Sequence, residues 1–168
     1  MSQYCTLDDL QGILPNTVVI GTNLQTKNVN VLESRALFMI EQAAGLIDSY
    51  ITTIYRVPLM KYKEPDYSES TITFVEFYPP PVVLINARLA AANIYDYIMM
   101  AQQTPNISEW GKNQRALAFD DLREIQSGAI QLKGQELVGL RFVRTELFDP
   151  SRVPAKPPVP PTQRQAGQ

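Results

Sequence analysis

The residues with chemically useful side chains are acids, a few tyrosines and one thiol, and the 168-residue chain has no histidine. That removes the side chain best suited to moving protons near neutral pH and the commonest transition-metal ligand. It also rules out a Ser-His-Asp or Cys-His arrangement within the chain. Two acidic doublets remain, Asp8-Asp9 and Asp120-Asp121. Neighbouring residues on a helix diverge by about 100°, so neither doublet aims two carboxylates at one point. Asp8 and Asp9 follow Thr6 and suit the positive end of a helix, where acids and a hydroxyl meet unpaired N–H groups. Asp120 and Asp121 read as a solvated face or as partners of Arg123 and Arg115. Glu41 and Asp48, seven apart, share a polar helix face, with an ion pair between subunits as the other use. Tyr95, Tyr97, Met99 and Met100 read as helical packing rather than a cofactor box. Cys5 has no histidine to activate it as a nucleophile. No glycine-rich phosphate loop is present, and no cofactor, metal or enzymatic activity is expected.

Those residues are carried on segments with helical periodicity. Thr6 to Leu14 forms a short helix, with Leu7, Leu10 and Leu14 as its apolar stripe and Pro15 as its stop. Residues 16–30 read as a polar loop. From about Val31 to Ile54, the residues Ile40, Ala43, Ala44, Ile47, Ile51 and Ile54 recur at spacings of three and four and line one helical face. The small residues Ala43, Ala44 and Gly45 would let another helix come close. A second long helix is expected from about Pro81 to Gln102, with Leu84, Ala87, Ala91, Ile94, Tyr95 and Ile98 inward. A third should run from a Ser108 cap to about Ser127, with Leu117, Leu122 and Ile125 inward and Gly128 as the left-handed stop. Ala129 to Leu132 and Leu137 to Phe148 read as extended.

Two segments fall outside that helical scheme. Thr71 to Tyr78 is β-branched and aromatic. It fits either a hairpin within the chain or a strand added to a neighbour's sheet. From Pro150 the composition changes: six of the 13 prolines lie between Pro150 and Pro161, with Arg152, Lys156 and Arg164 but no acid beyond Asp149. Such a segment reads as an extended, polyproline-II-like arm, either a solvated end or a docking element. The fold class is therefore mainly α. It is a small bundle of about three long helices plus a short N-terminal helix, with a β-like inserted arm and an extended C-terminal arm. The division is 1–132 for the helical domain, with 59–80 as the inserted loop or hairpin, and 133–168 for the proline-rich arm. A net charge of −2 shows no basic excess of the kind nucleic-acid binding needs. No apolar run is long enough to span a bilayer. The N-terminal residues do not read as a signal peptide, and the lone Cys5 suits a reducing cytoplasm.

Several stretches in order resemble small bacteriophage head–tail connector (adaptor) proteins. They are Tyr4-Cys5-Thr6-Leu7-Asp8-Asp9-Leu10, then Ile47-Asp48-Ser49-Tyr50-Ile51 and Tyr55-Arg56-Val57-Pro58-Leu59. Pro81 with Arg88-Leu89-Ala90-Ala91-Ala92-Asn93-Ile94-Tyr95 follows, and then Ile125-Gln126-Ser127-Gly128-Ala129-Ile130-Gln131-Leu132. The resemblance spans about residues 4–132. It implies a homo-oligomeric ring, commonly of twelve copies, beneath the portal of the capsid. Such a ring extends the DNA channel, lets DNA pass without sequence-specific binding, and offers a surface to a tail or neck protein (a tail terminator or stopper). The implied place is the virion neck, assembled in the host cytoplasm, with no membrane. The 60–78 connection is longer than such proteins usually have, and the tail is richer in proline. The candidate interface residues are Ile72, Phe74, Phe77 and Tyr78 in the inserted arm, and Arg141, Phe142, Arg144, Phe148, Arg152, Pro157 and Pro158 in the C-terminal arm. The alternative is a cellular helical adaptor module whose proline-rich tail binds a partner domain.

Overall fold

A computed structural model describes residues 3–24, 29–66, 73–101 and 109–138. The described residues all fall in one compact unit, and residues 139–168 lie outside the described residues. The described part is mainly α. Helix α1 spans Leu7–Ile13, α2 Glu33–Ile51, α3 Pro80–Ala101 and α4 Glu109–Ser127. Thr6 caps α1 with a reciprocal box: the Asp9 N–H donates to Thr6 Oγ1 at 3.2 Å, and the Thr6 N–H donates to Asp9 Oδ2 at 2.8 Å.

α3 packs against α1, α2 and α4 and forms the centre of the core. Val82, Ile85, Ala87, Leu89, Ala90, Ala91, Ala92 and Ile94 are all buried. That set covers most of the helix circumference, so no single stripe describes it. Leu84, expected inward, is 41% exposed. In α4 the buried positions are Gly111, Ala118, Leu122 and Ile125. Leu117, also expected inward, is 47% exposed, because Ala118 one position on already takes the inward direction. α2 follows its expected face, with Ile40, Ala43, Ala44, Ile47 and Ile51 buried.

Polar side chains fasten these helices together. Asn86 donates from Nδ2 to the Ile40 carbonyl at 3.1 Å in the core between α3 and α2. Arg88 on α3 meets Asp121 on α4 at 2.7 Å, and Arg115 on α4 meets Asp96 on α3 at 2.5 Å. Arg115 is thus not a partner of the Asp120-Asp121 doublet; Asp120 pairs with Arg123 one turn on.

Among the described residues, four short strands make two small pairs. β1 (Ile20–Gly21), in a stretch expected to be only loop, runs parallel to β2 (Val31–Leu32), at the expected start of the first long helix. Gly21 is required there, since a Cβ would lie 2.7 Å from Val29 Cγ2. β3 (Tyr62–Asp66) and β4 (Thr73–Phe77) form an antiparallel hairpin, with Tyr62 opposite Phe77 and Pro65 opposite Phe74. The inserted arm therefore pairs within the chain. Residues 129–132, expected to be extended, form no strand. Gly128 turns the chain at φ +80°, and the Ile130 N–H donates back to the Glu124 carbonyl at 3.1 Å, which folds the segment against the end of α4.

The chain beyond that turn closes over the loop after α2. The Leu132 N–H donates to the Tyr55 hydroxyl at 3.1 Å. Gln135 both accepts from the Met60 N–H at 2.9 Å and donates to the Met60 carbonyl at 2.6 Å. Leu137 bridges to Tyr55, and the Val138 N–H donates to the Ile54 carbonyl at 2.7 Å. The first residues of the expected C-terminal arm, 133–138, thus lie against the helical unit.

Candidate functional site

The N-terminal segment anchors the base of the hairpin. The Tyr4 hydroxyl donates to Asp48 Oδ1 on α2 and accepts from the Leu59 N–H at 3.0 Å. Its ring meets the edge of Tyr78 at 5.1 Å between centroids. Lys61 Nζ stands 5.3 Å from the centre of the Tyr78 ring. Two turns before Asp48 on the same face of α2, Glu41 accepts from Gln3 at 3.1 Å. The Glu41 and Asp48 face therefore receives the N-terminal segment of this same chain. Gly134, at φ +73°, passes so close to Tyr62 that a Cβ would sit 2.7 Å from Tyr62 Cβ. Lys133 pairs with Glu64, and that hydrogen bond and charge hold its ammonium above the ordinary lysine range.

Anchored this way, the hairpin holds apolar groups in water. Phe74 is 66% exposed and Phe77 is 44% exposed, while Tyr78 is half-buried at the base. Of the expected interface residues, these three are placed by the structure. Ile72, Arg141, Phe142, Arg144, Phe148, Arg152, Pro157 and Pro158 lie outside the described residues. Phe77 and Tyr78 share an open groove of about 440 Å³ with Ile13, Tyr62, Val83 and Leu84. The groove lies between α1, the hairpin base and the start of α3. Leu84, Val83 and Tyr62 were not expected there. Leu84 fell on an apparent core stripe, and Tyr62 lies in a charged run whose strand character comes only from pairing with β4.

A second exposed apolar patch gathers at the other end of α3. Leu24, Phe38 and Tyr97 line it together with Arg35. The Arg35 guanidinium lies 4.8 Å from the Tyr97 ring centre and 5.6 Å from that of Phe38. Leu84 and Tyr97 are thirteen residues apart on one helix, about 20 Å along its axis at 1.5 Å per residue. Tyr95, by contrast, packs on Trp110 at 5.1 Å between centroids.

Cys5 is buried, and burial, then the nearby Asp9 charge, pushes its thiol up to about 12. A thiol held protonated at neutral pH is a poor nucleophile. Among the described residues, no three Cys, Asp or Glu side chains converge as a metal site, and no helix is long and apolar enough to cross a membrane.

No curated protein and no solved structure matches the chain. The family model described as Bacteriophage Mu, Gp36 matches residues 4–138. That span takes in the helical unit, the hairpin and the closing segment down to Val138. The chain therefore belongs to the bacteriophage Mu Gp36 family, a family of phage proteins.

Proposed function

We propose that this chain is a non-enzymatic structural subunit of a phage head–tail connector ring. In that role it docks on the portal, extends the DNA channel and offers an attachment surface to a tail or neck protein. The supporting observation is the pair of exposed apolar patches at opposite ends of α3, one of them carried on a protruding hairpin. Contiguous exposed apolar surface on a small chain marks a contact site. Two different patches on one subunit suit heterologous contacts, which close into a ring when the rotation per subunit permits. Membership of a phage family favours this reading over a cellular adaptor module. The near-balanced charge fits a channel through which DNA slides without being held.

The test is to mix the chain with a portal ring and measure mass and symmetry by native mass spectrometry and particle imaging. Twelve copies seated on one face of the portal are expected. A portal that emerges with its original mass at a large excess of the chain overturns the reading. Removing residues 149–168 and repeating the mixing isolates the role of the tail, because unchanged attachment would exclude it from portal docking.

A further inference from the structure

The groove between α1, the hairpin base and α3 has a chemistry that selects its occupant. Three rings line it, from Tyr62, Phe77 and Tyr78, beside the aliphatic Ile13, Val83 and Leu84. Its two charged lining groups, Asp9 and Glu64, are both carboxylates. Aromatic grooves of this kind take polyproline II segments, whose rings stack on the aromatics and whose preformed helix loses little entropy on docking. Basic residues beside the prolines then find the acids.

The chain's own C-terminal sequence carries the matching chemistry. Pro154, Pro157 and Pro160 are spaced by three, which is one turn of polyproline II, so they fall on a single edge of that helix. Arg152 lies just before them and Lys156 between Pro154 and Pro157, and no acid occurs from Pro150 to Gln168. We propose that the groove takes the proline segment 152–161 of a second copy of this chain. The choice of a second copy rests on the ring reading: groove and segment are different surfaces, so their contact is heterologous and passes from copy to copy. Glu64 already meets Lys133, and Asp9 closes the α1 capping box. Lys156 therefore joins existing polar clusters, and stacking of prolines on Phe77, Tyr62 and Tyr78 carries most of the attraction.

The experiment needs no portal, so its failure is separable from failure of portal docking. A full-length chain carrying Pro154→Ala, Pro157→Ala and Pro160→Ala presents an intact groove with a tail that cannot fill it. A fluorescent peptide of residues 150–163 should bind this chain saturably. Binding should weaken by at least about tenfold, a free-energy change of ~1.4 kcal/mol, when Phe77→Ala is added or when the peptide's three prolines become alanine. Circular dichroism and the melting midpoint check that the Phe77→Ala chain is folded. Next, the triple-proline variant, with its groove intact, is mixed with the Phe77→Ala chain, whose tail is intact. The mixture should sediment as a complex at concentrations where each alone is monomeric. A peptide that does not bind, or that binds the Phe77→Ala groove equally well, overturns the proposal. So does a wild-type chain that stays monomeric and excludes the peptide, since its own tail would then fill its own groove.

Discussion

Arg115 reaches from α4 to Asp96 on α3 at 2.5 Å and donates from Nη2 to Asn93 Oδ1 at 3.0 Å. The Asp96 side chain is only 9% exposed, and its Oδ1 accepts from no protein group among the described residues. Removing the arginine leaves a carboxylate out of water without its cation. Arg115→Met should therefore cost about 2–4 kcal/mol in a urea titration, while adding Asp96→Asn should restore part of the loss. Equal stabilities for the single variant and the wild type would show that the pair holds nothing together. Cys5 supports a different measurement. Its folded thiol sits near 12 against an ordinary value of 9.0. Below pH 9 the thiol keeps its proton in both states. Between 9 and 12 the unfolded chain loses the proton first and binds fewer protons, so stability falls as pH rises. Relative to Cys5→Ala, the wild type should lose up to about 1.4 kcal/mol per pH unit in that window. At neutral pH the folded chain should also resist thiol reagents that label it in denaturant; rapid labelling of folded chain would contradict the buried placement.

At the scale of elements, local rules predict well where one face of a helix is covered and fail where the surroundings decide. α2 shows the first case, since its buried residues recur at the spacings its sequence displays. α3 shows the second. Contacts with three helices bury apolar residues at most positions from Val82 to Ile94, so periodicity carries little information, and Leu84 is left outside although it fits the stripe. β3 is harder still, because after Tyr62 the run Lys-Glu-Pro-Asp is disfavoured in strands and is extended by pairing with β4. The Arg88–Asp121 and Arg115–Asp96 ties could not be assigned from sequence, since each choice depends on how α3 and α4 are rotated against each other. The groove was only half legible: the aromatic run gave Phe77 and Tyr78, while its α3 wall depended on which side of a mostly buried helix stays open. Gly45 shows how a small residue can be read in two ways. It adjoins the buried Ala43 and Ala44 but is itself exposed, with nothing within 4 Å of where its Cβ would lie. Within α2 it loses backbone entropy and makes no close contact in return. Gly45→Ala should stabilise the isolated chain by about 0.5–1 kcal/mol, read as a higher melting temperature. A lower melting temperature would mean that the position is constrained in a way its open surroundings do not show.

For the whole molecule, stability and assembly should depend on different residues. The core that holds the chain together centres on α3, whereas Phe74 and Phe77 stand on the hairpin in water. Phe74 faces Pro65 across the hairpin and is 66% exposed, so little of its apolar surface is removed from water by folding. Phe74→Thr puts a β-branched, strand-compatible residue in its place while taking away the ring. Its effect on folding should stay within about 0.5 kcal/mol, as for other surface substitutions. If the hairpin is the arm that meets the portal or a neighbouring subunit, the same change removes an aromatic side chain from the contact. A buried aromatic anchor commonly accounts for 2 kcal/mol or more of binding, roughly thirtyfold in affinity. Phe74→Thr should therefore melt with the wild type yet fail to seat on a portal ring at concentrations where the wild type saturates it. Loss of both together would make Phe74 part of the folded core. Loss of neither would move the docking surface away from the hairpin, toward the Phe38 and Tyr97 patch at the other end of α3.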